Sequence, residues 1–154
     1  MLLSRTFFIA VLVLFLSGCQ TTREVLNFDT EAKLKFSVSP DVNPDRDKRA
    51  SPIVLRLFLL TDRRQFDRED FLNLFENASS RLGSDLVREI TLKEFAPSEE
   101  RIERIELTED IKYIGIIAEF VNYEDSDPID IVEIKEHNTN TYDIQINRLS
   151  ITHR

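Results

Sequence analysis

The chain has 154 residues, 42% hydrophobic and 31% charged, with 20 Lys and Arg against 28 Asp and Glu and a formal net charge of −8. That length suits one domain, the apolar fraction excludes a disordered chain, and 3 Gly with 5 Pro exclude collagen-like or low-complexity structure. The acidic balance argues against nucleic acid as a partner, because phosphate contacts need a basic face. With 1 Cys and 2 His, little material is left for a disulfide framework or a zinc site.

The first residues fall into three blocks: Arg5 as a positive n-region, an apolar run of ten residues from Phe7 to Leu16, and Leu16-Ser17-Gly18-Cys19. The run is too short for a hydrocarbon core of ~30 Å, which takes about 20 apolar residues, and has the layout of an export signal. Leu16–Cys19 resembles a bacterial lipobox, where the chain is cut before the cysteine, the thiol takes a diacylglyceryl group and the freed amine is acylated. Buried acyl chains contribute ~0.8 kcal/mol per CH₂, so several on one residue anchor a protein stably. Gln20 stands where Asp marks inner-membrane retention in enterobacterial lipoproteins, which points to the outer membrane. The competing reading is a short N-terminal anchor, or a cysteine placed there by chance. The lipobox reading implies a signal peptide over 1–18, a lipidated Cys19 and tether over 19–29, and a folded domain over 30–154, with the lipid on Cys19 as the sole attached group.

From Ala32 the hydrophobic period is two: Ala32, Leu34, Phe36 and Val38 alternate with Lys33, Lys35 and Ser37, the pattern of a half-buried strand. Ile53–Leu60 is apolar on both faces except at Arg56, which reads as a central strand covered on both sides. A helix follows, with Asp67 as cap, Asp70 at its third position and Phe66 stapled to Phe71. Phe71, Leu74 and Phe75 would line its buried face. Asn77–Asp85 is less regular, with Gly83 as a stop.

Strands resume after Leu86. Ile90 and Leu92 lie on one, Ile105 and Leu107 on the next, with a turn at Pro97-Ser98-Glu99-Glu100 between them. Tyr113–Tyr123 is a second strand apolar on both faces, and Gly115 in it suggests a bulge or a close backbone approach. After the acidic turn Glu124–Pro128, Ile129, Ile131 and Ile134 mark another strand. His137–Asn140 is a polar turn, and Tyr142, Ile144 and Ile146 form a last strand running on through Leu149 and Ile151. Seven or eight short strands with one helix between early strands define an all-β, two-sheet sandwich.

No catalytic motif stands out: there is no Gly-x-Ser-x-Gly, Gly-rich phosphate loop or His-Glu-x-x-His, and His137 and His153 read as exposed bystanders. Asp41-x-Asn43-x-Asp45-x-Asp47 has the first oxygen spacings of an EF-hand. Its sixth position, however, is Arg46 rather than Gly, and its twelfth is Pro52 rather than Glu. The segment Pro40–Pro52 instead joins two strong strands through three prolines and six charges. Prolines lower the entropy of an exposed loop, so its shape is set before a partner arrives; a solvated crossover between sheets is the equal alternative from composition alone.

In order, the lipobox, the Asp41-Val42-Asn43-Pro44-Asp45 turn, Ser51-Pro52 leading into Ile53–Leu60, the Phe66…Phe71…Leu74-Phe75 helix and the late strand Tyr113–Phe120 resemble the TssJ (SciN-type) lipoproteins of type VI secretion systems. The resemblance implies a transthyretin-like sandwich with a helical addition, held at the periplasmic face of the outer membrane. It implies a non-enzymatic structural adaptor that binds the periplasmic C-terminal region of TssM, within a complex also containing TssL, through the loop between the first two strands. Asp41, Asn43, Pro44, Asp45 and Pro52 are carried over as loop-defining positions. Arg46, Lys48 and Arg49 join them as exposed charges of the same loop. Where the family pattern places a Trp after the late strand, this chain has no Trp and an acidic turn over Asn122–Pro128.

Two other functions compete. A periplasmic ligand-binding lipoprotein would need a sizeable cavity between the sheets or beneath the helix. An envelope hydrolase would need two carboxylates converging in a cleft.

Overall fold

The computed structural model describes residues 30–154. Cys19 and the segments expected to be an export signal and a tether lie outside the described residues. Eight strands form two four-stranded sheets. In chain order they are β1 (Thr30–Val38), β2 (Leu55–Leu60), β3 (Leu86–Thr91), β4 (Glu100–Leu107), β5 (Tyr113–Ala118), β6 (Ile129–Glu133), β7 (Thr139–Ile146) and β8 (Ile151–His153). One helix, α1 (Phe71–Leu82), lies between β2 and β3.

The first sheet has the order β4-β1-β7-β8. Its period-2 strand β1 sits inside it, antiparallel to β4 with Phe36 opposite Arg101, and parallel to β7 with Phe36 opposite Ile144. Ala32, Leu34, Phe36 and Val38 point into the core while Lys33, Lys35 and Ser37 face outward. The second sheet, β3-β2-β5-β6, is antiparallel throughout.

The two doubly apolar segments are the neighbouring central strands of that second sheet. Leu55, Leu57 and Leu59 of β2 and Ile114 and Ile116 of β5 face the first sheet. Phe58, Leu60 and Ile117 face the other way, under α1. Leu34, Phe36, Leu57, Ile116 and Ile144, between the sheets, are each at most 1% exposed and occupy the space in which an inter-sheet ligand would sit.

Gly115 explains how the helix segment approaches. It lies opposite Phe58 in the β2–β5 ladder, and a Cβ there would stand closer than 3.0 Å to three ring carbons of Phe66. The ring occupies the place of the missing side chain and tilts against Phe58 at 5.8 Å.

This seating shifts the helix start from Asp67 to Asp70. Phe66–Arg68 forms a 3₁₀ turn, and Arg63 binds the Asp67 carboxylate at 2.7 and 3.2 Å. Glu69 is extended, so Asp70 becomes the cap and accepts from the Asn73 amide at 2.8 Å. Phe66 therefore packs on Phe58, while Phe71 stacks on Phe75 and Tyr123. The buried stripe is Leu74, Ala78 and Leu82 rather than Phe71, Leu74 and Phe75. The helix runs on past Asn77, where the backbone departs to φ −136°, and stops at Gly83 with φ 54°.

Two strand ends also differ from the sequence pattern. β5 stops at Ala118 because the Phe120 amide turns back to the Ala118 carbonyl at 2.9 Å, a tight three-residue turn that ends the ladder. β7 does not continue through Leu149. Asn147 donates to the Ser150 carbonyl at 2.8 Å, and β8 returns with Ile151 opposite Ile146.

Substituting Gly115→Ala is expected to destabilise the protein by ~1–3 kcal/mol through overpacking against Phe66. Adding Phe66→Leu should recover part of that loss. Urea denaturation of the single and double variants measures both.

Candidate functional site

The loop between β1 and β2 stands at one pole of the sandwich, where three chain crossings meet. Its apolar pin is Val42, fully buried. Next to it Asn43 is 2% exposed, with φ 47°, a left-handed conformation that asparagine tolerates better than most residues. Its side-chain amide donates to the Pro52 carbonyl at 2.7 Å, closing the loop on itself. The oxygen of that amide accepts from the Val121 backbone at 2.8 Å, reaching the β5–β6 connection.

The backbone of Asn43 is equally engaged. Its amide donates to the Arg148 carbonyl at 2.9 Å in the β7–β8 turn, and its carbonyl accepts from the Ser51 hydroxyl. Asp127 donates to Leu149 at 2.8 Å and so ties the second crossing to the third.

Beyond Asn43 the loop is organised by Asp45. Its Oδ1 accepts from the amides of Asp47 and Arg49 at 2.8 and 2.9 Å, and the Arg49 guanidinium meets its Oδ2 at 3.0 Å. These bonds to the ionised form, led by the Arg49 amide, hold the Asp45 carboxyl below its ordinary value of 3.8. Arg49 also pairs with Asp47 at 3.0 Å. Asp41 accepts from the Ser39 hydroxyl, which lowers its pKa, and lies 3.6 Å from Arg148.

The loop residues singled out in the sequence therefore divide. Asn43, Asp45 and Pro52 supply bonds that shape the loop, and Asp41 and Arg49 are engaged in ion pairs. Arg46 and Lys48 are exposed and make no ion pair among the described residues. The acids of the apparent EF-hand pattern face arginines instead of a common centre, and among the described residues no three His, Cys, Asp or Glu cluster as metal ligands.

Arg46 and Lys48 border a cleft of ≈ 390 Å³ that sequence reading did not reveal, because its other wall comes from Val121, Asn122, Arg148 and Leu149. The one local hint was Val42-Asn43, a buried pair inside an otherwise charged loop. A second cluster, also missed, joins Arg56 to Glu119 at 2.7 Å and to Glu89 at 3.2 Å. These are carboxylates that converge, but on a guanidinium that pairs with both. Among the described residues no helix is long and apolar enough to cross a membrane.

A helix-covered β-sandwich that presents a hydrogen-bonded loop at one pole is a scaffold of the loop-presenting kind. The family model described as type VI secretion lipoprotein, VasD, EvfM, TssJ matches residues 30–149, and the chain belongs to that family. The lipobox lies outside the matched span, so the match rests on the sandwich itself.

The fold is shared with solved structures over nearly their whole length. The T6SS lipoprotein TssJ1 from Pseudomonas aeruginosa is 27% identical with a TM-score of 0.76, over 82% of this chain and 95% of that one. Serratia marcescens Lip, described as a membrane-bound component of the type VI secretion system, is 22% identical with a TM-score of 0.74, over 81% and 97%. A chain of a type VI membrane complex is 18% identical with a TM-score of 0.72, over 80% and 97%. The comparison with curated proteins finds no match.

Asn43→Ala leaves the Val121 amide and the Pro52 carbonyl without partners, at an expected cost of about 2–4 kcal/mol in total. In hydrogen exchange the Val121 amide should lose its protection first. The depressed Asp45 pKa sets a sign for pH: its contribution is complete above the ordinary value of 3.8 and is lost as pH falls through the lower folded value. The Arg49 amide resonance should shift in a transition centred on that lower value, and in Asp45→Asn that transition should be absent.

Proposed function

We propose that the protein is a lipid-anchored structural adaptor of the type VI secretion membrane complex. Acyl chains on Cys19 hold it at the periplasmic face of the outer membrane. The Pro40–Pro52 loop grips the periplasmic C-terminal region of TssM, which assembles with TssL in the inner membrane. Nothing in this reading requires catalysis.

The observation that carries it is the position of that loop relative to Thr30, the first described residue. β1 begins at Thr30, and the loop begins just past Val38, at the other end of the same strand. A strand of 9 residues spans roughly 30 Å at ~3.3 Å per residue, so Thr30, where the described chain begins, and the loop stand at opposite ends of β1. β1 is paired along its length on both sides, so a pull between its ends runs along a strand that two ladders hold in the sheet. Membership of the TssJ family and the fold shared with a chain of a type VI membrane complex support the reading.

Within the loop, Asp41, Asn43, Pro44, Asp45, Arg49 and Pro52 fix the shape, and Arg46 and Lys48 make the charged contact. Reversing both charges, Arg46→Glu with Lys48→Glu, should weaken binding of the full chain in detergent to the TssM periplasmic region at least tenfold, about 1.4 kcal/mol, with thermal stability retained. Unchanged binding would move the interface off the loop. Separately, Cys19→Ser should shift the protein from the membrane to the soluble fraction and abolish secretion, and normal secretion with a soluble variant would overturn the anchoring role.

A further inference from the structure

Helix α1 leaves Leu72 and Phe75 41% and 38% exposed. Single apolar side chains at a surface are ordinary, but Phe75, one turn of the helix from Leu72, belongs to a row of rings. Phe75 stacks on Phe71 with ring centres 5.6 Å apart, and Phe71 stacks on Tyr123 at 5.4 Å, which carries the row from the helix to the β5–β6 connection. Two residues before Tyr123, Val121 is 61% exposed, is pinned through its amide to Asn43 and lines the cleft beside Arg46 and Lys48. The row therefore ends two residues from an exposed apolar side chain that borders the loop surface.

The row is also held in place. The Arg56 guanidinium lies 4.9 Å over the Phe75 ring and donates to the Phe75 carbonyl at 3.0 Å. Two residues further on, at Asn77, the helix departs from regular geometry. Arg56 is in turn fixed by Glu119 and Glu89. Partly burying three charges carries a desolvation cost, and here the cluster orients a ring that contributes little to the core. Pre-ordered aromatic side chains lose less entropy on binding, and aromatic residues dominate the energetics of protein interfaces. At the margin of the row, Glu76 beside Phe75 and Glu124 beside Tyr123 have no basic partner among the described residues. An occupant with an apolar centre and basic flanks matches both features.

We propose that Phe71, Leu72, Phe75 and Tyr123 form the apolar half of the docking surface that begins at Pro40–Pro52, and that they seat an apolar, basic-flanked segment of the same periplasmic partner. This rests on the adaptor reading and extends it from a loop contact to a surface that wraps from the pole onto the helix. Arg56 is a positioning residue in it, acting through Phe75.

The test uses the full chain in detergent with the TssM periplasmic region from the same organism. Three variants are compared with the parent: Leu72→Ser with Phe75→Ser, Glu76→Lys with Glu124→Lys, and the loop reversal Arg46→Glu with Lys48→Glu. The first should weaken binding at least tenfold with unchanged thermal unfolding. The second should weaken it most at low salt, and hydrogen exchange in the parent complex should protect residues 71–76 and 121–124. Loss of binding in the loop variant with none in the helix variant, and no protection over 71–76, would overturn this proposal and leave the adaptor standing. No binding by the parent would overturn the adaptor reading itself. Self-association of the free chain, or binding to anionic vesicles, that disappears in the Leu72 and Phe75 variant while TssM binding persists would assign the row to another occupant and overturn the proposal.

Discussion

One side-chain amide holds the pole of this sandwich together. Asn43 sits in a conformation that bends the chain sharply, buried among groups that would otherwise lack partners. Through its two side-chain atoms and its own backbone it joins the β1–β2 loop to the β5–β6 and β7–β8 connections. A buried polar group left unmatched costs more than a matched one contributes, so the three crossings are coupled: none can move without exposing a donor or acceptor of another. The exposed charges of the loop and the wall of the neighbouring cleft inherit their positions from this arrangement.

The second organising feature is the asymmetry between the two sheets. The first turns a polar face to solvent, with Lys33, Lys35 and Ser37 outermost on β1. The second is greasy on both sides and needs a cover, which α1 and the Phe66 turn provide. The fit of that cover depends on an absent side chain at Gly115 as much as on the ring that fills its place. The cover then has an outer surface of its own, and the ring row from Phe75 to Tyr123 is that surface.

Fold class was legible because alternation and its absence have simple geometric meanings. β1 alternates since one of its faces is wet, and β2 and β5 do not alternate since neither of theirs is. Gly115 was readable as a close approach, but its partner was not, since nothing local marks Phe66 as the ring that enters. The helix start was misread for a related reason. Asp67 is a good cap by type, and only the tertiary demand on Phe66, with Arg63 taking the Asp67 carboxylate, moves the start to Asp70. The loop could be located from its prolines and charges, but not its internal division of labour. Asn43 and Arg46 look equally exposed in the sequence, and they differ because the partner of Asn43 is Val121, 78 residues away.

The parallel pairing of β1 with β7 has a consequence for how the chain is made. Sheet two can assemble from segments that end at Glu133, but sheet one takes its strands from both ends of the domain, with Glu31 opposite Thr139 and Val38 opposite Ile146. Distant pairings form late because loop closure must precede the contacts that reward it. Until the last residues have emerged, the first strand lacks one of its two neighbours, and the sandwich stays open. A chain that emerges from its N-terminus onward is thus kept from closing early by its own topology.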